Sequence, residues 1–340
     1  MKASIGIVAN PVSARDIRRL ITNASSLQVA DRANIVMRLL ASMAAVGVKN
    51  VVMMPDNGGV RGHVQRGLTR EKNAGETVFP DLEFLEMPVY SSVEDTLNAV
   101  RKMVDLGVSA IVVLGGDGTH RAVASKCMKI PIAGLSTGTN NAFPDYREPT
   151  ITGLATGLYV TSQLSHEDAC ASNKMLNVSI NNGEQKEIAL VDVAITTDRY
   201  VGARALWRTD TFRELYVTYG EPHGTGMSSI AGLIDPVSRR DPHGLLVEIG
   251  SEDECARTLT APIAPGLMSC VGIKNIEKIM PGKSYTPRTK AGSVALDGER
   301  EIEFSEADHI EITLQSDAFY TIDVEHAMAT AARKQLLVSN

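Results

Sequence analysis

Cysteine is scarce: only Cys127, Cys170, Cys255 and Cys270 are present, scattered and without a CxxC pair. That scarcity disfavours a disulfide framework and a zinc site, and it fits a reducing compartment. Positive charge is not in excess either, since 34 Lys and Arg face 40 Asp and Glu for a formal net charge of −6. Such a chain has no general attraction for nucleic acid or an anionic membrane, so neither is expected as a partner. Any polyphosphate site must be made by local geometry. No apolar run approaches the roughly 18 residues of a membrane span. Met1-Lys2 leads directly into Ala3-Ser4-Ile5-Gly6-Ile7-Val8, too short for a signal-peptide core, and a cytoplasmic location is expected. Internal repeats and low-complexity tracts are also absent. What remains is 340 residues with 44% hydrophobic and 22% charged content, ordinary for a globular protein with room for two domains.

The first part of the chain alternates strands and helices. Ile5 to Val8 reads as a strand closed by Asn10-Pro11. Asp31 to Val46 has helical spacing, with Ile35, Leu39 and Met43 on one stripe before Gly47. A strand at Val51 to Met54 is followed by Asp56-Asn57-Gly58-Gly59 and Arg61-Gly62-His63, read as a glycine-rich loop that either covers a phosphate site or is an insertion. Leu82 to Met87 is a third strand, Ser92 and Asp95 form a capping box for a helix through Leu106, and Ala110 to Leu114 is a fourth strand. Together these predict an α/β fold with an N-terminal doubly wound parallel sheet. After Pro144 the rhythm changes. A helix over Thr150 to Gln163 precedes short strands at Met175 to Ile180, Ile188 to Thr196, Leu245 to Ile249 and Ser293 to Leu296, with Asn181-Asn182-Gly183 as a hairpin turn. The expected division is residues 1–146 as an α/β domain and 147–340 as a β-rich domain, whose C-terminal segment packs back on the first.

The most informative segment is Gly115-Gly116-Asp117-Gly118-Thr119, entered straight from the apolar strand before it. A buried strand ending in glycines brings backbone N–H groups to the carboxyl edge of a parallel sheet, where open α/β folds bind ligands. A helix starting near Thr119 adds its positive end, so the loop reads as an anion site. The acid is the unexpected part. A carboxylate beside a polyphosphate is repulsive unless a metal ion lies between them or it takes a proton from an attacking hydroxyl. Asp117 is therefore a candidate general base and a candidate Mg²⁺ ligand, and the combination points to phosphoryl transfer. Dinucleotide-dependent hydride transfer fits poorly, because the GxGxxG spacing is lacking. Gly134-Leu135-Ser136-Thr137-Gly138 fits the hydrolase GxSxG pattern, but Pro144 and the amides before it interrupt the helix that a nucleophile elbow requires.

The Gly115 to Thr119 pentapeptide resembles the signature of the NAD kinase and diacylglycerol kinase superfamily. Gly134-Leu135-Ser136-Thr137-Gly138-Thr139-Asn140-Asn141-Ala142-Phe143-Pro144 resembles the second glycine loop of one branch, the NAD-kinase-like acetoin-catabolism protein X group. Pro222-His223-Gly224-Thr225-Gly226-Met227-Ser228-Ser229 is similar to a segment that meets the nucleotide between domains. Thr260 to Pro265 and Leu296-Asp297-Gly298-Glu299 resemble two more family segments. The resemblance implies ATP as phosphate donor, Mg²⁺, NAD or a related nucleotide as acceptor, and a homo-oligomer. It places Gly115, Gly116, Gly118, Thr119, Gly138, Thr139, Asn140 and Asn141 on the donor. Asp192, Gly224, Thr225 and Gly226 fall on the acceptor. Where the family shows Asn then Glu on the acceptor strand, this chain has Val191 then Asp192: the acid is kept and the amide lost.

Alternatives stay open for several of these residues. Asn140 and Asn141 also suit a turn, and Asp192 lies inside an apolar strand, where it is either a ligand contact or a buried structural acid. Asp297-Gly298-Glu299 is also a plain hairpin turn. Arg199, Arg204, Arg208 and Arg213 could bind phosphate or simply lie at the surface. His120, His223 and His243 are candidate proton carriers without metal-ligand spacing. Two other functions remain: a nucleotide-binding accessory protein without turnover, and a kinase for another small alcohol or lipid.

Overall fold

A computed structural model describes residues 4–11, 27–75, 78–138, 141–198, 209–251, 253 and 255–338. It is a mixed α/β chain with an N-terminal parallel-sheet domain and a C-terminal antiparallel β-rich domain. Strands β1 (Ser4–Val8), β2 (Asn50–Met53), β3 (Asp81–Phe84), β4 (Ala110–Gly115) and β5 (Ile132–Ser136) are parallel, in the order β3-β2-β1-β4-β5. Helices α1 (Val29–Ala45), α2 (Val60–Ala74), α3 (Val93–Leu106) and α4 (Asp117–Ala124) lie between them in sequence. Alternate strand residues serve opposite faces: Ile5, Ile7, Val112 and Leu114 join Leu39, Leu40 and Met43 of α1, while Val8, Ile111 and Val113 join Val100 and Met103 of α3. Gly6 lets α3 come close, since a Cβ there would meet the Met103 sulfur at 2.5 Å.

Helices α5 (Pro149–Val160) and α6 (His166–Ala169) then lead to the hairpin β6 (Cys170–Ile180) and β7 (Gln185–Ala189), which turns at Asn181-Asn182-Gly183. Strand β16 (Ile310–Ile322) returns from the far end of the chain to lie between β5 and β6, parallel to the first and antiparallel to the second. Short β13 (Ser284–Tyr285) pairs with it, and α8 (Val324–Arg333) follows. The second sheet is antiparallel throughout, in the order β11 (Arg257–Ala264), β12 (Leu267–Ile279), β10 (Gly244–Gly250), β9 (Phe212–Val217), β8 (Asp192–Thr196), β14 (Gly292–Leu296), β15 (Glu299–Phe304). One face packs Val193, Ile195 and Tyr216 against Leu176, Val178, Ile312 and Leu314 of the first sheet. Its other face is covered by Ile230 and Ala231 of α7 (Ser228–Gly232).

Two local expectations are corrected. Of the stretch expected to be a glycine-rich loop, Asp56-Asn57-Gly58-Gly59 is a loop but Arg61-Gly62-His63 lies in the first turn of a helix, because the Asp56 carboxylate accepts from Val60 N at 3.1 Å and Arg61 N at 2.7 Å and so caps α2. The run Ile188–Thr196 is not one strand. The chain leaves the first sheet after Ala189 and enters the second at Asp192, a change that continuous apolar character cannot signal. Among the described residues no helix is long and apolar enough to cross a membrane.

Candidate active site

β4 and β5 end side by side, with Gly115 paired to Ser136. From β4 the chain turns at Gly116 into α4, of which Asp117 is the first residue. From β5 it runs through Thr137 and Gly138 toward Asn141. Thr139 and Asn140 lie outside the described residues, as do Arg199, Arg204 and Arg208.

The glycines of these loops have an internal cause that the sequence reading did not contain. A Cβ on Gly115 would lie 2.5 Å from the Thr119 side chain, and one on Gly116 or Gly138 would lie 2.6 Å from the Asn141 amide. Asn141 is thus held between the two loops, and its Nδ2 donates to Ser136 Oγ at 2.7 Å. Gly118 differs, being exposed and opening on empty space.

Asp117 is 8% exposed. Its carboxylate accepts from Ala142 N at 3.0 and 3.2 Å and from Phe143 N at 2.9 Å, tying the start of α4 to the second loop. Donors on both oxygens suit an ionised, acceptor-only carboxylate. The β-rich domain grips the same loop from outside. Tyr219 Oη donates to the Ala142 carbonyl at 2.8 Å and Arg239 Nη2 donates to it at 3.2 Å. The Arg239 guanidinium lies 4.4 Å from the Tyr219 ring centre and 5.3 Å from that of Phe143, with Asp145 at 3.7 Å. Burial pushes the Tyr219 phenol far up, so it stays a donor. Burial opposes the Arg239 charge, while the carboxylates of Asp145, Glu221 and Asp117 favour it, and the group stays charged.

Gly226 completes this edge. It adopts φ +99°, donates its N–H to Pro262 O at 3.0 Å, and a Cβ on it would lie 4.0 Å from the Ala142 methyl. Gly224 N donates to Glu221 O at 3.0 Å in the turn just before, and Thr225 is half-buried. The structure therefore gathers Gly116, Asp117, Gly138, Asn141 and Gly226.

Asp192 begins β8 and is buried beside the Asp297-Gly298-Glu299 turn. Its N–H donates to Asp297 Oδ1 at 3.3 Å and its carbonyl accepts from Asp297 N at 2.9 Å. Val191 is fully buried, in one apolar cluster with Val123, Phe143, Leu190 and Tyr219. Arg121, one turn along α4 from Asp117, reaches this second region. It donates to Leu296 O at 2.8 Å, pairs with Glu301, and lies 3.8 Å from Asp297.

His120 is sealed off rather than poised to carry protons. Nδ1 lies 2.9 Å from Gly116 O, which assigns the proton to that nitrogen, and the ring packs 5.7 Å from Phe143. Nε2 is buried without a hydrogen-bond partner among the described residues, and burial lowers the ring's pKa to about 4. His223 is at the surface near Glu221, His243 gives its carbonyl to Lys174, and Arg213 bonds the local carbonyls of Asp210 and Phe212. None of these three joins the Asp117 edge. No cluster of three or more His, Cys, Asp or Glu suited to a metal exists among the described residues. Mg²⁺ is ordinarily held by one or two carboxylates together with substrate phosphates rather than by an all-protein cluster, so Asp117 remains the candidate protein ligand for it.

Residues 5–162 match the ATP-NAD kinase N-terminal domain, and residues 174–317 match the acetoin catabolism protein X C-terminal domain. The chain is 51% identical over 338 residues to acetoin catabolism protein X of Cupriavidus necator, an alignment covering 98% of this chain and 94% of that protein. The sequence resemblance and these two matches agree along almost the full length. The chain belongs to the acetoin catabolism protein X family, whose N-terminal half here is an NAD-kinase-type domain.

Proposed function

We propose that this protein transfers the terminal phosphoryl group of ATP to a hydroxyl of NAD or a related nucleotide. The observation that carries this reading is the position of Asp117, at the start of α4 and fixed to the second glycine loop, with Gly226 of the other domain beside Ala142 of that loop. The helix N-terminus and the exposed backbone at Gly118 suit a phosphate chain. Asp117 accepts the proton of the acceptor hydroxyl as that oxygen bonds to the γ-phosphorus; the bond to the β,γ-bridging oxygen breaks and ADP leaves. Mg²⁺ accompanies the nucleotide and spreads the phosphate charge. On the acceptor side, Asp192 and Gly224-Thr225-Gly226 supply the contacts, with small groups and oxygens suited to a ribose. All four cysteines are free thiols, which supports placement in the reducing cytoplasm.

Val191 favours a second reading. Its complete burial leaves no acceptor amide where NAD kinases have one, and the relative's name ties the family to acetoin catabolism. A nucleotide-binding accessory protein without turnover accommodates both facts. Incubation of the purified protein with ATP, Mg²⁺ and a panel of acceptors including NAD, read by phosphorylated product, separates the readings. Product from NAD or another nucleotide is expected. Nucleotide binding with no product from any acceptor would establish the accessory role, and product from a lipid or small alcohol alone would overturn the nucleotide assignment.

A further inference from the structure

Tyr219 and Arg239 come from different segments, yet both donate to one carbonyl. Their convergence is built by a two-way backbone bridge in which Gly220 N donates to Val237 O at 2.9 Å and Val237 N donates to Gly220 O at 3.0 Å. The carbonyl they share, that of Ala142, belongs to the same peptide unit as the Phe143 N–H, which donates to Asp117 Oδ1 at 2.9 Å. One peptide dipole is therefore held with a cation and a phenol at its oxygen end and a carboxylate at its hydrogen end.

We propose that Arg239 is a positioning residue for Asp117, acting through the Ala142–Phe143 peptide. Hydrogen bonds in a chain polarise one another, by about 10–30% each, so a guanidinium on the carbonyl strengthens the N–H donor at the other end. Arg239 is suited to this because the Tyr219 and Phe143 rings hold its planar group in one orientation. A Cβ on Gly226 would lie 4.0 Å from the Ala142 methyl, so the segment assigned to the acceptor runs beside the residue that carries the relay. The catalytic consequence rests on Asp117 being the base, whereas the coupling of Arg239 to Asp117 does not.

A double-mutant cycle tests the coupling without any turnover. In urea unfolding, Arg239→Met should raise the unfolding constant about tenfold when Asp117 is present, and no more than about threefold in an Asp117→Asn background. The same factor in both backgrounds would overturn the relay. If Arg239→Met does not fold, Arg239→Lys carries the cycle with a smaller difference of the same sign. In the phosphotransfer assay, Arg239→Met should lower kcat at least about tenfold with KM within about twofold, and Arg239→Lys should recover part of the loss. A raised KM with unchanged kcat would make Arg239 a substrate ligand and contradict the proposal. Arg240→Gln, which removes only the neighbouring pair with Asp323, serves as the control and should leave both parameters unchanged. Absence of product from the wild type counts against the phosphotransfer reading, and the unfolding cycle then still decides whether the relay exists.

Discussion

Asp117 and Asp297 are both buried acids that collect backbone N–H groups from a distant segment, and they use them differently. Asp297 adopts φ +51° and accepts from Leu190 N, Val191 N and Asp192 N at 3.0, 2.8 and 3.3 Å, just where the chain leaves one sheet for the other. Amides between sheets need a partner, and this carboxylate supplies it. Burial pushes the Asp297 carboxyl up, while Arg121 and the three amides pull the other way. Asp117 instead accepts two amides from a loop at the ligand edge of the parallel sheet, at the positive end of a helix. Helix α4 carries both arrangements, Asp117 at its first residue and Arg121 one turn later. The same chemistry thus closes a fold in one place and fixes a functional group in the other.

If that distinction holds, Asp297→Ala should remove about 3–5 kcal/mol of stability in urea unfolding, because it leaves three buried backbone amides without the carboxylate that accepts from them. A loss below about 1 kcal/mol would erase the difference between the two acids. His120 lies only on the Asp117 side and makes the next largest effect. Its folded pKa of about 4 lies below the ordinary value of 6.5, so the stability from burying the neutral ring is full above pH 6.5 and falls as the pH drops toward 4. That amounts to roughly 3 kcal/mol. Urea midpoints at pH 7 and 5 should therefore differ less for His120→Gln than for the wild type, and an equal difference would contradict this. Asp192→Ala should weaken acceptor binding ten- to a hundredfold, about 1.5–3 kcal/mol, with ATP affinity unchanged by calorimetry. Unchanged acceptor affinity would make Asp192 structural, like its neighbour Asp297. Val191→Asn should cost about 1–3 kcal/mol in unfolding without raising NAD affinity, since the amide would enter an apolar cluster. A gain in NAD affinity would mean that the family pocket survives there.

What the sequence revealed was local. The Ser92 and Asp95 capping box, the turn at Asn181-Asn182-Gly183 and the strand-to-helix junction at Gly115–Thr119 each depend on neighbours within a few residues. The cap on α2 was equally local, but Gly58, Gly59 and Gly62 masked the Asp56 signal. Long-range pairings were not legible: a C-terminal segment packing back on the first domain was expected, but not its place as β16 between β5 and β6, and the strand run Ile188–Thr196 hides the change of sheet. In the site, the loop residues were nameable because they cluster in sequence. Tyr219, Arg239 and the Arg121–Asp297 approach were not, since only the folded chain brings them to Ala142 and to the Asp297 turn.

The central claim is that Asp117 performs chemistry, and the most direct measurement is turnover of Asp117→Asn beside its urea midpoint. The substitution keeps size and most hydrogen bonding but removes the proton acceptor, so kcat should fall by on the order of 10²–10⁴ while the midpoint stays close to that of the wild type. Wild-type turnover in a folded Asp117→Asn protein would contradict the claim, and so would a variant whose lost activity is matched by lost folding.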